Sequence, residues 1–212
     1  MTLSEFANYF VSLLVITNPL SALPAILRIT RNQTTAQKEH TALITTLSIG
    51  IILLLSTWIG TPLLAILGIS IPSFQVAGGF VLLTIAFSML QATESSIKQT
   101  PEEQKEKIAK DSGAIVPLAI PIIAGPGAIS SIIVNVSHNP GLVEQLLLSL
   151  VAILVTLTLG LVLYFSANLE KMIGQSGINI FNRIGGLILA AIAIQTLANG
   201  ALGLFPGWGA PS

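Results

Sequence analysis

No cysteine occurs in the 212 residues, which excludes disulfides, thiolate metal sites and thiol redox chemistry. Charge is nearly as scarce. Only 8% of residues are Asp, Glu, Lys or Arg, where a soluble domain carries about 25%, so a water-facing surface cannot be covered. The nine basic and nine acidic residues cancel, and no basic field points to nucleic acid. No Asp, Glu or His falls in the middle of an apolar segment. An oxygen- or imidazole-rich metal site is therefore missing, and so is a titratable proton relay. Ser130 follows a glycine-rich turn, but no His or Lys accompanies it within an apolar segment, so no enzyme is expected. No cofactor is expected either. Coupling to Na+ or H+ is left open, and a Na+ would have to be held by carbonyls, hydroxyls or amides.

Apolar residues are abundant, at 52%, with a mean hydropathy of +0.85. A membrane-spanning helix needs about 20 mostly apolar residues. Six stretches qualify: Leu3–Ile29, Thr41–Leu67, Ile71–Ala92, Gly113–Val136, Leu142–Leu169 and Gly177–Phe205. One of them alone would fit a buried soluble helix, but six leave no amphipathic shell. The chain is predicted to be an all-α protein embedded in a lipid bilayer. All nine basic residues fall on one side: Arg28, Arg31, Lys38, Lys98, Lys105, Lys107, Lys110, Lys171 and Arg183. The other side carries Glu5, His138 and Glu144. The excess of Lys and Arg predicts both termini outside, with Trp58 and Trp208 at the outer interface. The first charge is Glu5, not a basic n-region, so the first segment is expected to be retained. Between spans 3 and 4, Thr100-Pro101-Glu102-Glu103 predicts a short cytoplasmic helix over Pro101–Asp111. Its mixed charges read as a solvated face, or as a regulatory or partner surface.

The chain also carries an internal echo. Pro126 follows Pro19 by 107 residues, and the same offset takes Gly78-Gly79 onto Gly185-Gly186 and Phe74 onto Phe181. Over Ile71–Leu90, eight of twenty positions are identical at this offset, and Gln75 meets Asn182. Spans 1 and 4 share Ile16/Ile123, Pro19/Pro126 and Ile26/Ile133, while spans 2 and 5 share little beyond hydrophobicity. The reading is two three-helix units, 1–92 and 113–212, joined by a charged linker, 93–112. An odd number of spans per unit inverts the second relative to the first.

Proline inside a helix removes a donor and clashes with the carbonyl four residues back. Span 1 is expected to break at Asn18-Pro19, with Pro24 beyond it. Span 4 is expected to break at Gly125-Pro126, after Pro117 and Pro121. The freed groups must be buried in protein or line a wet cavity. Broken ends attract opposite charges: a half-helix N-terminus favours an anion and a C-terminus a cation. Two opposed breaks thus suit an amino-acid zwitterion or a small neutral solute. The candidate site comprises Asn18, Ser21, Gly125, Gly127 and Ser130, with Gln75 and Asn182 along the path. Plain kinks are the alternative. Gly78-Gly79 and Gly185-Gly186 would let spans 3 and 6 pack closely or slide. Arg183 reads equally as a snorkelling residue or as a carboxylate partner and inner gate. Access to the site would alternate by rocking one unit against the other. A passive channel and a non-transporting scaffold are the rivals. Nothing in the sequence indicates a homo-oligomer.

Four segments carry a family resemblance: VITNPLSALPAILRIT, SIPSFQVAGGFVLLTIAFSML, VPLAIPIIAGPGAIS and INIFNRIGGLILAAIAIQ. In order and spacing they resemble the MarC family of bacterial and archaeal inner-membrane proteins. GPGAIS and the asparagine-proline of span 1 are the most specific pieces, and the resemblance covers nearly the whole chain. It implies six spans, kinship with LysE-like exporters, and small neutral amino acids such as glycine or alanine as substrates. The family has no catalytic residues to carry over. Its shared breaks map onto Asn18-Pro19 and Gly125-Pro126-Gly127.

Overall fold

A computed structural model describes residues 2–20, 23, 26–27, 30, 33–91, 125–138 and 140–209. The regular structure among them is helical: α1 (Leu3–Thr17), α2 (Thr35–Ile66), α3 (Ile71–Leu90), α4 (Pro126–His138), α5 (Leu142–Tyr164) and α6 (Ser166–Leu204), followed by a 3-10 turn at Pro206–Gly209. The charged linker with its expected helix lies outside the described residues, as do Ser21, Pro24, Pro117 and Pro121. Among the described residues, four helices are long and apolar enough to cross a membrane: α2, α3, α5 and the Ser176–Leu204 part of α6.

Local chemistry sets the helix ends. Thr2 and Glu5 form a reciprocal capping box at α1. Thr34 and Gln37 do the same at α2, so this helix starts ahead of the expected Thr41 and carries Lys38, Glu39 and His40 on its first turns. Ser70 caps α3, with Pro72 in the first turn, where its missing N–H costs nothing. Gly174, at φ 66 and ψ 167, interrupts α6. Only glycine adopts that conformation readily, which fixes the start of the spanning part close to the expected Gly177.

The bundle buries apolar side chains such as Ile49 and Leu53 and exposes others in number. On α2, Leu43, Leu47, Ile51, Leu55 and Ile59 point outward, while Thr45 and Thr57 are buried. Lipid is as apolar as leucine, so helices associate by close packing rather than by hiding leucine. Glycine gives the closest approaches around a core of buried apolar side chains. Along α3 and α6 a methyl group on Gly79 would lie 2.7 Å from Leu197 Cγ, and one on Gly186 would lie 3.2 Å from both Leu90 Cγ and the Ala86 carbonyl. Gly200 is just as close to the Val76 backbone nitrogen, at 2.9 Å. The order of these contacts makes α3 and α6 antiparallel, and theirs is the most extensive helix contact.

Alpha2 and α5 form the second antiparallel pair. Thr46 packs its methyl on Gly160, and Thr156 packs its methyl on Gly50. Each threonine turns its hydroxyl back onto its own helix, to Ala42 O and Ala152 O at 2.7 Å, leaving the methyl free for the glycine opposite. Toward the ends of the pair, Trp58 Nε1 donates to Ser149 Oγ at 3.1 Å, and the Tyr164 hydroxyl donates to Glu39 at 3.2 Å.

Among the described residues, the extensive contacts run between the two halves of the chain. Helix α1 packs on α5 and α6, as α4 packs on α2 and α3. The two halves of the chain interleave and are not bodies set side by side.

Gly200→Ala is expected to lower the melting temperature of the purified protein, because its Cβ would press on backbone; overpacking of this kind costs about 1–3 kcal/mol. Gly207→Ala, with open space around it, is the control and should melt with the parent protein.

Candidate functional site

Helix α1 stops at Thr17 because Asn18 turns left-handed, with φ 41 and ψ 76. It is the one described non-glycine residue with positive φ, and asparagine is among the few side chains that tolerate that region. Its N–H closes on Leu14 O at 3.0 Å, and the Thr17 hydroxyl reaches Leu13 O at 2.9 Å and Leu14 O at 3.1 Å. These bonds meet the Leu13 and Leu14 carbonyls from within the segment. Asn18 Nδ2 donates to Met89 Sδ at 3.5 Å, tying the break to the end of α3. Pro19 and Leu20 are helical again, and a proline fits a first helical turn.

Helix α4 begins at Pro126, and the Gly125 carbonyl accepts from Ala128 N at 2.9 Å and Ile129 N at 3.4 Å. The residues before Gly125 are outside the described set. The end of α1 and the start of α4 come together in the interior. A methyl group on Gly127 would lie 3.6 Å from Ile16 Cγ2 and 2.5 Å from Leu82 Cδ2. Ile16 is two residues before Asn18, and Gly127 is two residues after Gly125. The negative end of one helix dipole therefore lies against the positive end of another, each equivalent to about half a unit charge.

The other expected residues divide into two groups. Ser130 is buried, lies against Gly78 of α3 closely enough to exclude a Cβ there, and its hydroxyl makes no hydrogen bond. Gln75 is buried one turn earlier on α3. Gly78 and Gly79 thus pack against two different helices, α4 and α6. On α6, Gly185 and Gly186 both face Met89. Asn182 is half-buried with its Oδ1 unpaired, whereas the neighbouring Arg183 is exposed.

Two features escaped the sequence reading. Tyr9 of α1 is buried, with its hydroxyl beside Ser131 of α4. A lone polar-tipped aromatic inside an apolar run was the available signal. The second is the pairing of Thr46/Gly50 with Thr156/Gly160, which recurs at 110 residues rather than 107. A three-residue slip hides it from an ungapped comparison.

Away from the breaks, an apolar groove of about 420 Å³ runs between α1 and α5, lined by Phe6, Phe10, Leu154, Leu157, Thr158 and Leu161. No group of three or more His, Cys, Asp or Glu that could hold a metal ion occurs among the described residues.

Apolar spanning helices seamed by glycine define an integral membrane protein. Its sequence matches the model of the MarC family of integral membrane proteins over residues 3–205, and the chain belongs to that family. It is 37% identical to the UPF0056 membrane protein BU267 of Buchnera aphidicola from Acyrthosiphon pisum, covering 97% of this chain and 95% of that one. It is 36% identical to the UPF0056 membrane protein YhcE of Escherichia coli K12, covering 95% and 94%. It is 33% identical to the UPF0056 membrane protein MJ0972 of Methanocaldococcus jannaschii, covering 97% and 90%. No solved structure matches the fold.

The left-handed break makes a sharp prediction. Asn18→Gly should keep the melting temperature close to that of the parent. Asn18→Val should lower it, since a β-branched residue held at positive φ costs about 1–3 kcal/mol. Equal melting of the two variants would remove backbone conformation as the reason for asparagine.

Proposed function

We propose that the protein is a transporter of small neutral or zwitterionic solutes, most simply amino acids such as glycine or alanine. The observation that carries this reading is the meeting of the α1 C-terminus with the α4 N-terminus in the interior. One end suits an ammonium and the other a carboxylate. Asn18, Gly125, Gly127 and Ser130 surround that meeting point, with Ser21 assigned to it from sequence.

The full architecture belongs to the same proposal: six spans in two inverted units, both termini outside, in the cytoplasmic membrane of a bacterium or archaeon. The contacts support the symmetry. Gly79 on Leu197 and Gly186 on Leu90 are one contact repeated at offset 107, and the Thr–Gly pairs of α2 and α5 are another, at offset 110. Because the units interleave, we assign the alternation of access to α1 and α4 moving against the α2–α5 and α3–α6 pairs. In the present arrangement Leu82 and Ile16 close over Gly127, so the site opens only when these helices shift.

That same closeness favours a second reading, a scaffold whose breaks merely kink and pack. Proteoliposome uptake and counterflow with radiolabelled glycine, alanine and serine, with and without Na+ or proton gradients, separates the two. Transport is expected, and Gly125→Leu should abolish it. Folded protein that moves none of the three leaves the scaffold.

Orientation is checked with single cysteines, which the cysteine-free chain makes unambiguous. In intact cells an impermeant maleimide should label His138→Cys and not His40→Cys. The reverse pattern overturns the outside placement of the termini.

A further inference from the structure

Helix α6 is the least enclosed of the four long apolar helices. In its most apolar 18-residue stretch 17% of the residues are buried, against 33% to 44% in α2, α3 and α5. Its outward residues include Ile184, Ile188, Ala191, Gln195, Ala198 and Leu202, at alternating intervals of four and three. Any exposed helix face repeats in this way; the content of this one sets it apart. The outward face of α2 is Leu43, Leu47, Ile51, Leu55 and Ile59, and that of α5 includes Leu146, Leu150, Leu157 and Leu161. Large aliphatic side chains suit lipid. Small residues flanking a polar one are instead the material of helix–helix contacts in a bilayer.

Gln195 is the decisive residue. The contacts of Gly79 with Leu197, Gly186 with Leu90 and Gly200 with Val76 fix the register of α3 against α6. They put Gln195 level with Val81, halfway along Ile71–Leu90 and so near the middle of the hydrocarbon. Outward threonines meet this problem locally: the Thr84 and Thr158 hydroxyls donate to Phe80 O and Leu154 O of their own helices, each at 2.9 Å. The glutamine amide has two donors and an acceptor oxygen to satisfy, and Gln195 makes no hydrogen bond among the described residues.

The occupant of the face follows from that chemistry. Lipid tails offer no hydrogen bond, and water is absent at that depth. An amide carries both donor and acceptor, so it is complementary to itself. Two copies inserted the same way round bring their α6 helices together parallel, about a two-fold axis along the membrane normal. Such a contact sets the seam of one helix against the same seam of the other. Gln195 then meets the Gln195 of a second copy, and Ala191 and Ala198 on either side let the backbones approach. A single polar residue in an otherwise apolar seam also fixes register and the number of strands.

We propose that the exposed face of α6 is the interface of a parallel homodimer in the membrane, joined by a hydrogen bond between the two Gln195 amides. A dimer of this kind requires only that the chain spans a bilayer, and does not depend on the solute it moves.

The test uses the full chain, in which any introduced cysteine is unique. In native membranes, oxidation with copper phenanthroline should cross-link Ala191→Cys and Ala198→Cys into dimers. It should leave Ile51→Cys and Leu150→Cys, on the outward faces of α2 and α5, as monomers. Protein labelled at His138→Cys for energy transfer should associate in liposomes as the lipid-to-protein ratio falls. Gln195→Leu in that background should weaken the association about tenfold, the upper worth of one interhelical hydrogen bond in a bilayer. Gln195→Asn keeps an amide in the seam and should weaken it less. Protein that stays monomeric at every ratio, or cross-links through α2 or α5 instead of α6, overturns the interface. Association as strong in Gln195→Leu as in the parent overturns the hydrogen bond that joins it.

Discussion

Helices surrounded by hydrocarbon gain nothing by hiding leucine from lipid, and the rest of this fold depends on that constraint. Cohesion has to come from close approach, and close approach needs residues without side chains. Gly79, Gly186 and Gly200 meet that need along α3 and α6, and Gly50 and Gly160 do so along α2 and α5. The threonines opposite Gly50 and Gly160 illustrate how polar atoms are managed. Each hydroxyl bonds within its own helix, so that only a methyl reaches the neighbour. The result is two tightly seamed antiparallel pairs, against which the shorter α1 and α4 are packed.

Those two helices end where a continuous span would not. Asn18 takes a left-handed conformation and Pro19 restarts the helix; Pro126 starts α4 outright. Backbone groups at such ends must find partners inside the protein. At α1 the Leu14 carbonyl is met locally, by the Thr17 hydroxyl and the Asn18 N–H. The two ends differ in kind as well as in polarity. One carries an asparagine tied to Met89, the other a glycine flanked by the close packing of Leu82 and Ile16.

The spans with strong apolar runs were readable from the sequence. Ile71–Leu90 and Leu142–Tyr164 begin where composition placed them, because Ser70 caps one and Pro140-Gly141 precedes the other. The start of α2 was not read, since Thr34 and Gln37 form a cap that hydropathy ignores. The pairing of α2 with α5 was hidden because the Thr–Gly pattern is displaced by three residues relative to the rest of the repeat. Asn18, Gly127 and Ser130 were legible as parts of breaks. Tyr9 was not, because burial is a property of the packed fold rather than of the residue.

Interleaving also constrains how such a protein can move. If α1 belonged to a separate three-helix body, that body could swing as a unit. Instead α1 lies on α5 and α6, and α4 lies on α2 and α3, so each of these helices is packed against the opposite half. A displacement of α1 along α5 has a counterpart in α4 along α2, and the glycine seams of the two long pairs need not change for either. Packed interfaces of this kind hold discrete arrangements rather than yielding continuously. Two arrangements related by exchange of the halves would open the same meeting point to opposite sides of the membrane. Under the proposed transport, the differences between the two breaks, asparagine held by methionine against glycine held by leucine and isoleucine, would set which arrangement is the more stable without ligand.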